Sequence, residues 1–350
     1  MSTLLSKSPY HVNVSVTDLI YAEVDIYIYT GEKTVDRPTN PSYTLKSTAI
    51  NGALSFDIGS LVNDAIQYPA DGTYRTDGAW LDYEVRKYTD DGTGPVLTTD
   101  SIVSLFAVDG YSYFHEGANF DAQKGLCLST NTYYVPSGES IRFPINKREA
   151  VTYKEFRNGN TDDANPDVTV SFATNNFSGQ QFTYPATSND AVDRIQVITD
   201  DSFTNEIKIV RLDECKYEPI KIKFVNRYGA MEDLWFFKTS KLKTKVESKD
   251  YQNNQILSSG AYNTYEHQFR KYNTQARESL TINSGFVTED MNEAFTQLLM
   301  SSKVWATYNG NELPVNVKTT DIEHKTSLND KLIQYTMDVD FAFNKINTIR

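Results

Sequence analysis

The sequence predicts a mainly β protein of two or three sandwich-like domains with one short amphipathic helix. Three observations carry this prediction. Aromatic residues are abundant, with 23 Tyr and 18 Phe in 350 residues, and Thr, Val and Ile are common; such side chains suit a pleated, half-buried surface. Runs of alternating apolar and polar residues recur, bounded by Gly, Asn, Asp and Pro at intervals of roughly ten residues, the spacing of sandwich strands. One segment, 289–300, keeps a clear helical period, so the expected helix content is about a tenth against a typical third.

The first region, 1–125, reads as a sandwich. In LIYAEVDIYIYT (19–30), Ile20, Ala22, Val24, Ile26 and Ile28 share one face, and Tyr21, Glu23, Asp25, Tyr27 and Tyr29 the other. That is a strand with a core face and a wetter face. YTLKSTAI (43–50) is a second strand. ALSFDIGSLVNDAI (53–66) begins with strand alternation and shifts to helical spacing at Ile58, Leu61, Val62 and Ile66, with Asp57 or Ser60 as candidate cap. WLDYEVRKYT and VLTTDSIVSLFAV flank a hairpin turn at Asp90-Asp91-Gly92. A second series of strands, from YYVPSGESIRFPI to NEIKIVRL, fills a middle region, 126–215, that either completes the first sandwich or forms another.

The third region, 216–350, carries the most unusual stretch, FVNRYGAMEDLWFF (224–237). PIKIKFV is a strand, Asn226–Gly229 a turn, and LWFFKTSKLKTKV the return strand. Trp235, Phe236 and Phe237 cannot all face one side of a strand. Both faces are therefore apolar, which requires burial on both, within the chain or by a neighbouring subunit. Lys241, Lys243 and Lys245 follow on one face, with Leu242 and Val246 on the other. Such a ladder invites basic-to-acidic contact between copies, or else protects an exposed edge from aggregation. Residues 250–270 read as a polar, flexible connection. In EDMNEAFTQLLM (289–300), Met291, Phe295, Leu298 and Leu299 form an apolar helical stripe, with Thr288 as N-cap. Asn309-Gly310 marks a tight hairpin. The last strand places Ile333, Tyr335, Met337, Val339, Phe341 and Phe343 on one face, which fixes its register.

Charge and motifs exclude several functions. The net charge is −12 and the pI about 4.9, without the basic footprint of nucleic-acid binding. Residues 1–120 hold 16 Asp/Glu and 7 Lys/Arg, a balance of 7 − 16 = −9, so the remainder carries −3. The two cysteines, Cys127 and Cys215, form no metal motif. The N-terminus lacks the apolar core of a signal peptide, and no run approaches the about 18 apolar residues of a membrane span, so cytoplasmic synthesis is expected. Four histidines, His11, His115, His267 and His324, lie at no metal-ligand spacing. No nucleophile elbow, phosphate loop or dinucleotide fingerprint is present. The carboxylate pairs Asp90-Asp91, Asp162-Asp163, Asp200-Asp201 and Glu289-Asp290 sit in turn or cap contexts. No catalytic, cofactor or metal residue is assigned, and the chain is expected not to be an enzyme. The alternatives to weigh are a glycosidase, a calcium ion in the loop Asn160–Pro166, and a sugar-stacking platform of Tyr111, Tyr113, Tyr133 and Tyr134 with Phe114 beside them.

The C-terminal third resembles virion structural proteins of tailed bacteriophages. The resemblance rests on IKIKFVNRYGAMEDLWFF (220–237) and on the run from LTINSGFVTEDMNEAF (280–295) through SSKVW and NDKL to the final alternating strand; FDIGSLVNDAI (56–66) is similar to segments in phages of marine or Bacteroidota hosts. The resemblance implies a non-enzymatic subunit of the tail or baseplate, made in the host bacterial cytoplasm and built into the virion. Its partners would be its own copies and other virion proteins, without nucleic acid and without a membrane span. The expected assembly interface is Phe224, Tyr228, Trp235, Phe236, Phe237, Lys241, Lys243 and Lys245. A neck or capsid-decoration protein, and a receptor-binding module that takes a host-surface glycan through the tyrosines, are the other readings.

Overall fold

The computed structural model describes residues 2–33, 35–66, 74, 78–121, 125–146, 150–173, 182–199, 204–254, 256, 259–324 and 333–346. Among these, 53% are strand and 7% helical, the mainly β fold expected. The calls on Asp200 and Asp201, and on the NDKL segment (329–332), lie outside the described residues.

The N-terminal sheet runs Ser2–Leu5, Val103–Val108, Ala79–Asp90, Leu19–Tyr29, Tyr43–Thr48. Pro95–Thr99 folds back on Ala79–Asp90 through the Asp90–Gly94 turn. The alternation in 19–29 holds at its centre, where Ala22, Val24 and Ile26 are fully buried, but Ile20 and Ile28 are half-buried, and Asp25 and Tyr29 on the other face are buried, Tyr29 in a second cluster. The hairpin His11–Ser15 with Ala53–Asp57 and the 3-10 turn Gly59–Ala65 close that face through Val12, Val14, Phe56, Ile58 and Val62. The N-cap of this turn is Ile58, without a side-chain cap, rather than Asp57 or Ser60; Asp57, just before it, accepts the Gly59 amide at 3.1 Å. The opposite face carries ion pairs, with Arg86 joined to Asp25 at 2.8 Å and Glu23 at 3.2 Å.

The middle sheet runs Thr132–Pro136, Thr204–Leu212, Val192–Thr199, Val151–Arg157, Val168–Phe172. It buries its own cluster around Val135, Ile145, Ile195 and Val197.

The C-terminal sheet has seven strands in the order Met231–Phe236, Ile220–Val225, Val304–Tyr308, Asn311–Val317, Ile333–Phe341, Phe269–Val287, Lys241–Gln252. The two outermost strands are consecutive in sequence, joined only by residues 237–240. A short link between opposite edges requires the sheet to roll up. It does: the Lys238 amide bonds the Asn283 carbonyl at 3.1 Å. The helix Asn292–Met300, entered through a 3-10 turn Glu289–Met291, plugs this roll with Met291, Phe295 and Leu298. Phe295 packs edge-on to Phe236 and tilted against Tyr335, at centroid distances of 6.0 and 4.7 Å. Thr288 does not cap the helix with its side chain. Its hydroxyl instead meets the Tyr134 hydroxyl at 3.0 Å. The last strand alternates as expected from Ile333 to Phe341, but Phe343 lies beyond it and is exposed.

Candidate assembly arm and the aromatic turn

The return strand expected over 234–246 is two strands. Met231–Phe236 ends before Phe237, and Lys241–Gln252 begins on the other edge of the sheet. The aromatic residues and the lysines therefore serve different places, and the expected interface divides into two.

The aromatic part is internal. Phe224, Tyr228, Phe236 and Phe237 are all buried within the chain. Trp235 is half-buried against the middle core, with the Lys221 ammonium 5.8 Å from its ring centre. Phe224, Tyr228, Phe236 and Phe237 pack inside the single chain, which itself supplies both layers for them. The Phe237 side chain has no water to lose in assembly. Phe237→Ala is expected to lower the stability of the single chain by about 3–5 kcal/mol through lost burial and cavity formation, measured by urea denaturation, with no separate effect on association.

The turn between the two strands joins all three regions. Asn226 accepts the Tyr228 and Ala230 amides on Oδ1, and donates from Nδ2 to the Cys127 carbonyl at 2.6 Å and to Glu232 at 3.0 Å. Glu232 is fully buried and accepts four donors: the Ser129 amide and hydroxyl, the Tyr133 hydroxyl and the Asn226 amide. Burial raises its pKa above the ordinary carboxylate range against the pull of these donors. Arg227 forms a two-pronged pair with Glu116 at 2.9 and 3.2 Å and lies 4.8 Å from the Tyr113 ring centre. Its amide donates to Gln297 on the helix, and its carbonyl accepts the Tyr111 amide. Gly229 has φ +75°, and a Cβ there would stand 2.7 Å from Val108 Cβ. Gly229→Ala combines a left-handed strain with overpacking, and is expected to cost about 2 kcal/mol or more by the same denaturation.

The four candidate sugar-stacking tyrosines have separate structural duties. Tyr133 is buried on Glu232. Tyr134 bonds Thr288, Tyr113 donates to Glu293 at 2.5 Å, and Tyr111 lies edge-on to Tyr113. They form no common platform. Fully exposed Phe114 stands apart from them. The candidate calcium loop uses its groups locally. Asp162 accepts the Ala164 amide and the Asn165 side chain, and Asp163 pairs with Arg194 at 2.8 Å.

The lysine part is an arm. Phe269–Val287 is 19 residues long, but the last strand covers only its Ser279–Val287 portion. From Phe269 to Glu278 its one strand partner among the described residues is Lys241–Gln252, whose every residue is exposed, with the Lys345 amide bonding the Ala276 carbonyl at the base. A two-stranded ribbon thus projects beyond the rolled sheet. One face carries Lys243, Lys245, Lys249, Arg270 and Arg277 with Tyr251 and Tyr272. Lys245 sits directly across from Arg277, and Glu247 on the same face pairs with Lys245 at 2.6 Å, which offsets the like-charge contact. A groove of about 450 Å³ runs along this face, lined in part by Lys243, Lys245, Arg277 and Lys318. The other face bears Leu242, Val246 and Phe269, the last two 60% and 62% exposed. Tyr262 and Tyr265 near the tip are also exposed. The arm's apolar exposure was missed from sequence because residues 250–270 read as polar.

A second open edge lies in the N-terminal sheet. Every residue of Pro95–Thr99 is exposed, and its one strand partner among the described residues is Ala79–Asp90. Val96 and Leu97 face solvent there, flanked by Asp90, Asp91 and Asp100. The Thr93 hydroxyl and amide hold Asp91 below the ordinary carboxylate range, so this turn stays negatively charged near neutrality.

The chain matches no family model and no curated protein. No helix among the described residues is long and apolar enough to cross a membrane.

Proposed function

We propose that the protein is a non-enzymatic structural subunit that assembles with its own copies, most consistently as a tail or baseplate component of a tailed phage, made in the host cytoplasm and built into the virion. The projecting ribbon is the observation that carries this reading. A lone two-stranded hairpin is marginally stable in water, and this one exposes an unpaired strand edge, large apolar side chains and an excess of positive charge. A long exposed edge of this kind is a template for another chain. The resemblance of the C-terminal third to tailed-phage virion proteins supports the particular setting, and neighbouring virion proteins would complete the assembly. Negative-stain microscopy of the purified chain tests the reading. Closed rings or stacks are the expected result; a field of single particles at every concentration would contradict it.

A further inference from the structure

The proposed assembly leaves open which surface receives the arm. We infer that the free edge of Lys241–Gln252 in one copy pairs antiparallel with Pro95–Thr99 of the next copy, so that Val246 meets Leu97. This inference rests on the assembly reading and names its contact.

Two open edges on the same chain match in kind. Each ends a ladder and each is exposed along its whole length; the one proline between them, Pro95, is the first residue of its strand. Each would satisfy the other's unpaired backbone N–H and C=O groups. Each presents apolar side chains beside charge: Leu242 and Val246 on the arm, Val96 and Leu97 on the edge, with Leu97 52% exposed.

The charges are opposite. Residues 241–278 hold seven Lys/Arg and four Asp/Glu, a balance of 7 − 4 = +3, against −9 for residues 1–120. The Val246–Leu97 register sets Lys243 opposite Asp100, and Lys249 beside the Asp90–Asp91 turn. Asp100 already holds Lys87 at 2.7 Å but keeps an exposed side chain. Opposite charge steers the encounter and fixes its direction.

The occupant argued for is a second copy rather than an unrelated protein, because both halves of the contact are on this chain. A head-to-tail contact between different patches repeats from copy to copy. It closes into a ring or continues as a stack.

Cysteine cross-linking tests the contact on a Cys215→Ser background, which removes the exposed native thiol. Leu97 and Val246 are both exposed, so substitution there leaves the core intact. Leu97→Cys with Val246→Cys in one chain is expected to give, on mild oxidation, a covalent ladder of dimers, trimers and higher species. A mixture of the two single variants is expected to stop at the dimer. Native oligomers by light scattering with no ladder would overturn this contact while leaving self-assembly standing. A monomer by light scattering, before any oxidation, would overturn both.

Discussion

Replacing residues 247–275 by Asn-Gly is expected to leave a folded chain that no longer assembles. Val246 and Ala276 are directly paired across the hairpin, so a two-residue turn of the kind that suits right-twisted strands can join them. The excised segment contributes nothing to the C-terminal core, whose members on these strands begin at Leu280. It does remove Tyr251, Ile256, Tyr262, Tyr265, Phe269 and Tyr272, all exposed. Surface changes away from core and network usually stay within about 0.5 kcal/mol, so the melting temperature should hold. The deletion removes half of the open edge of Lys241–Gln252, with Lys249, so the oligomer expected of the full chain should give way to monomer by light scattering. A shortened chain that assembles normally would show that the ribbon is dispensable.

Glu232→Ala is expected to have the largest effect on the single chain. It orphans four buried donors at the point where the middle region meets the C-terminal sheet. An unsatisfied buried group costs about 1–3 kcal/mol, and the sum is expected to be about 4 kcal/mol or more, a large share of the roughly 5–15 kcal/mol that holds a domain folded. Urea denaturation followed by tryptophan fluorescence measures it, since Trp235 sits against the middle core. Glu232→Gln is also expected to destabilise, because its new N–H₂ group meets a ring of donors. The pH dependence has a definite sign. Burial raises the folded pKa of Glu232, so the folded state holds its proton more tightly than the unfolded chain. The stability this group contributes is present below the unfolded pKa and is lost as pH rises to the folded one. The deficit of Glu232→Gln relative to the native chain should therefore shrink as pH rises across that interval. A deficit that widened would contradict the burial of this carboxyl.

The sequence disclosed the elements better than their arrangement. Period-two alternation in 19–29 and 333–341, the helical stripe Met291–Leu298 and the Asn309-Gly310 turn are local signals, and each has one low-energy reading. The rolling of the C-terminal sheet is not local. It brings together two opposite edges of the sheet, one ending at Phe236 and the other beginning at Lys241, so that only residues 237–240 join them. Periodicity cannot show such a break, so an apolar strand and a charged strand read as one. The same limit applies to the aromatic turn. Its doubly apolar character correctly demanded burial on both faces, but whether the chain or a neighbour supplied the layers depended on contacts some 100 residues away, such as Ser129 with Glu232. The lysine ladder was legible as an edge because alternating charge on a strand has few other uses. Its extension into a free ribbon was not, because that depends on where the last strand stops.

Hydrogen exchange along Lys241–Gln252 tests most directly whether the arm is the seat of assembly. In the single chain, the alternate amides that point away from Phe269–Val287 have no backbone partner and should exchange as fast as exposed loop amides. In the assembled fraction they should become protected, and protection should vanish on dilution to monomer. Equally fast exchange in both states would mean that the edge remains open in the assembly, and would contradict the account.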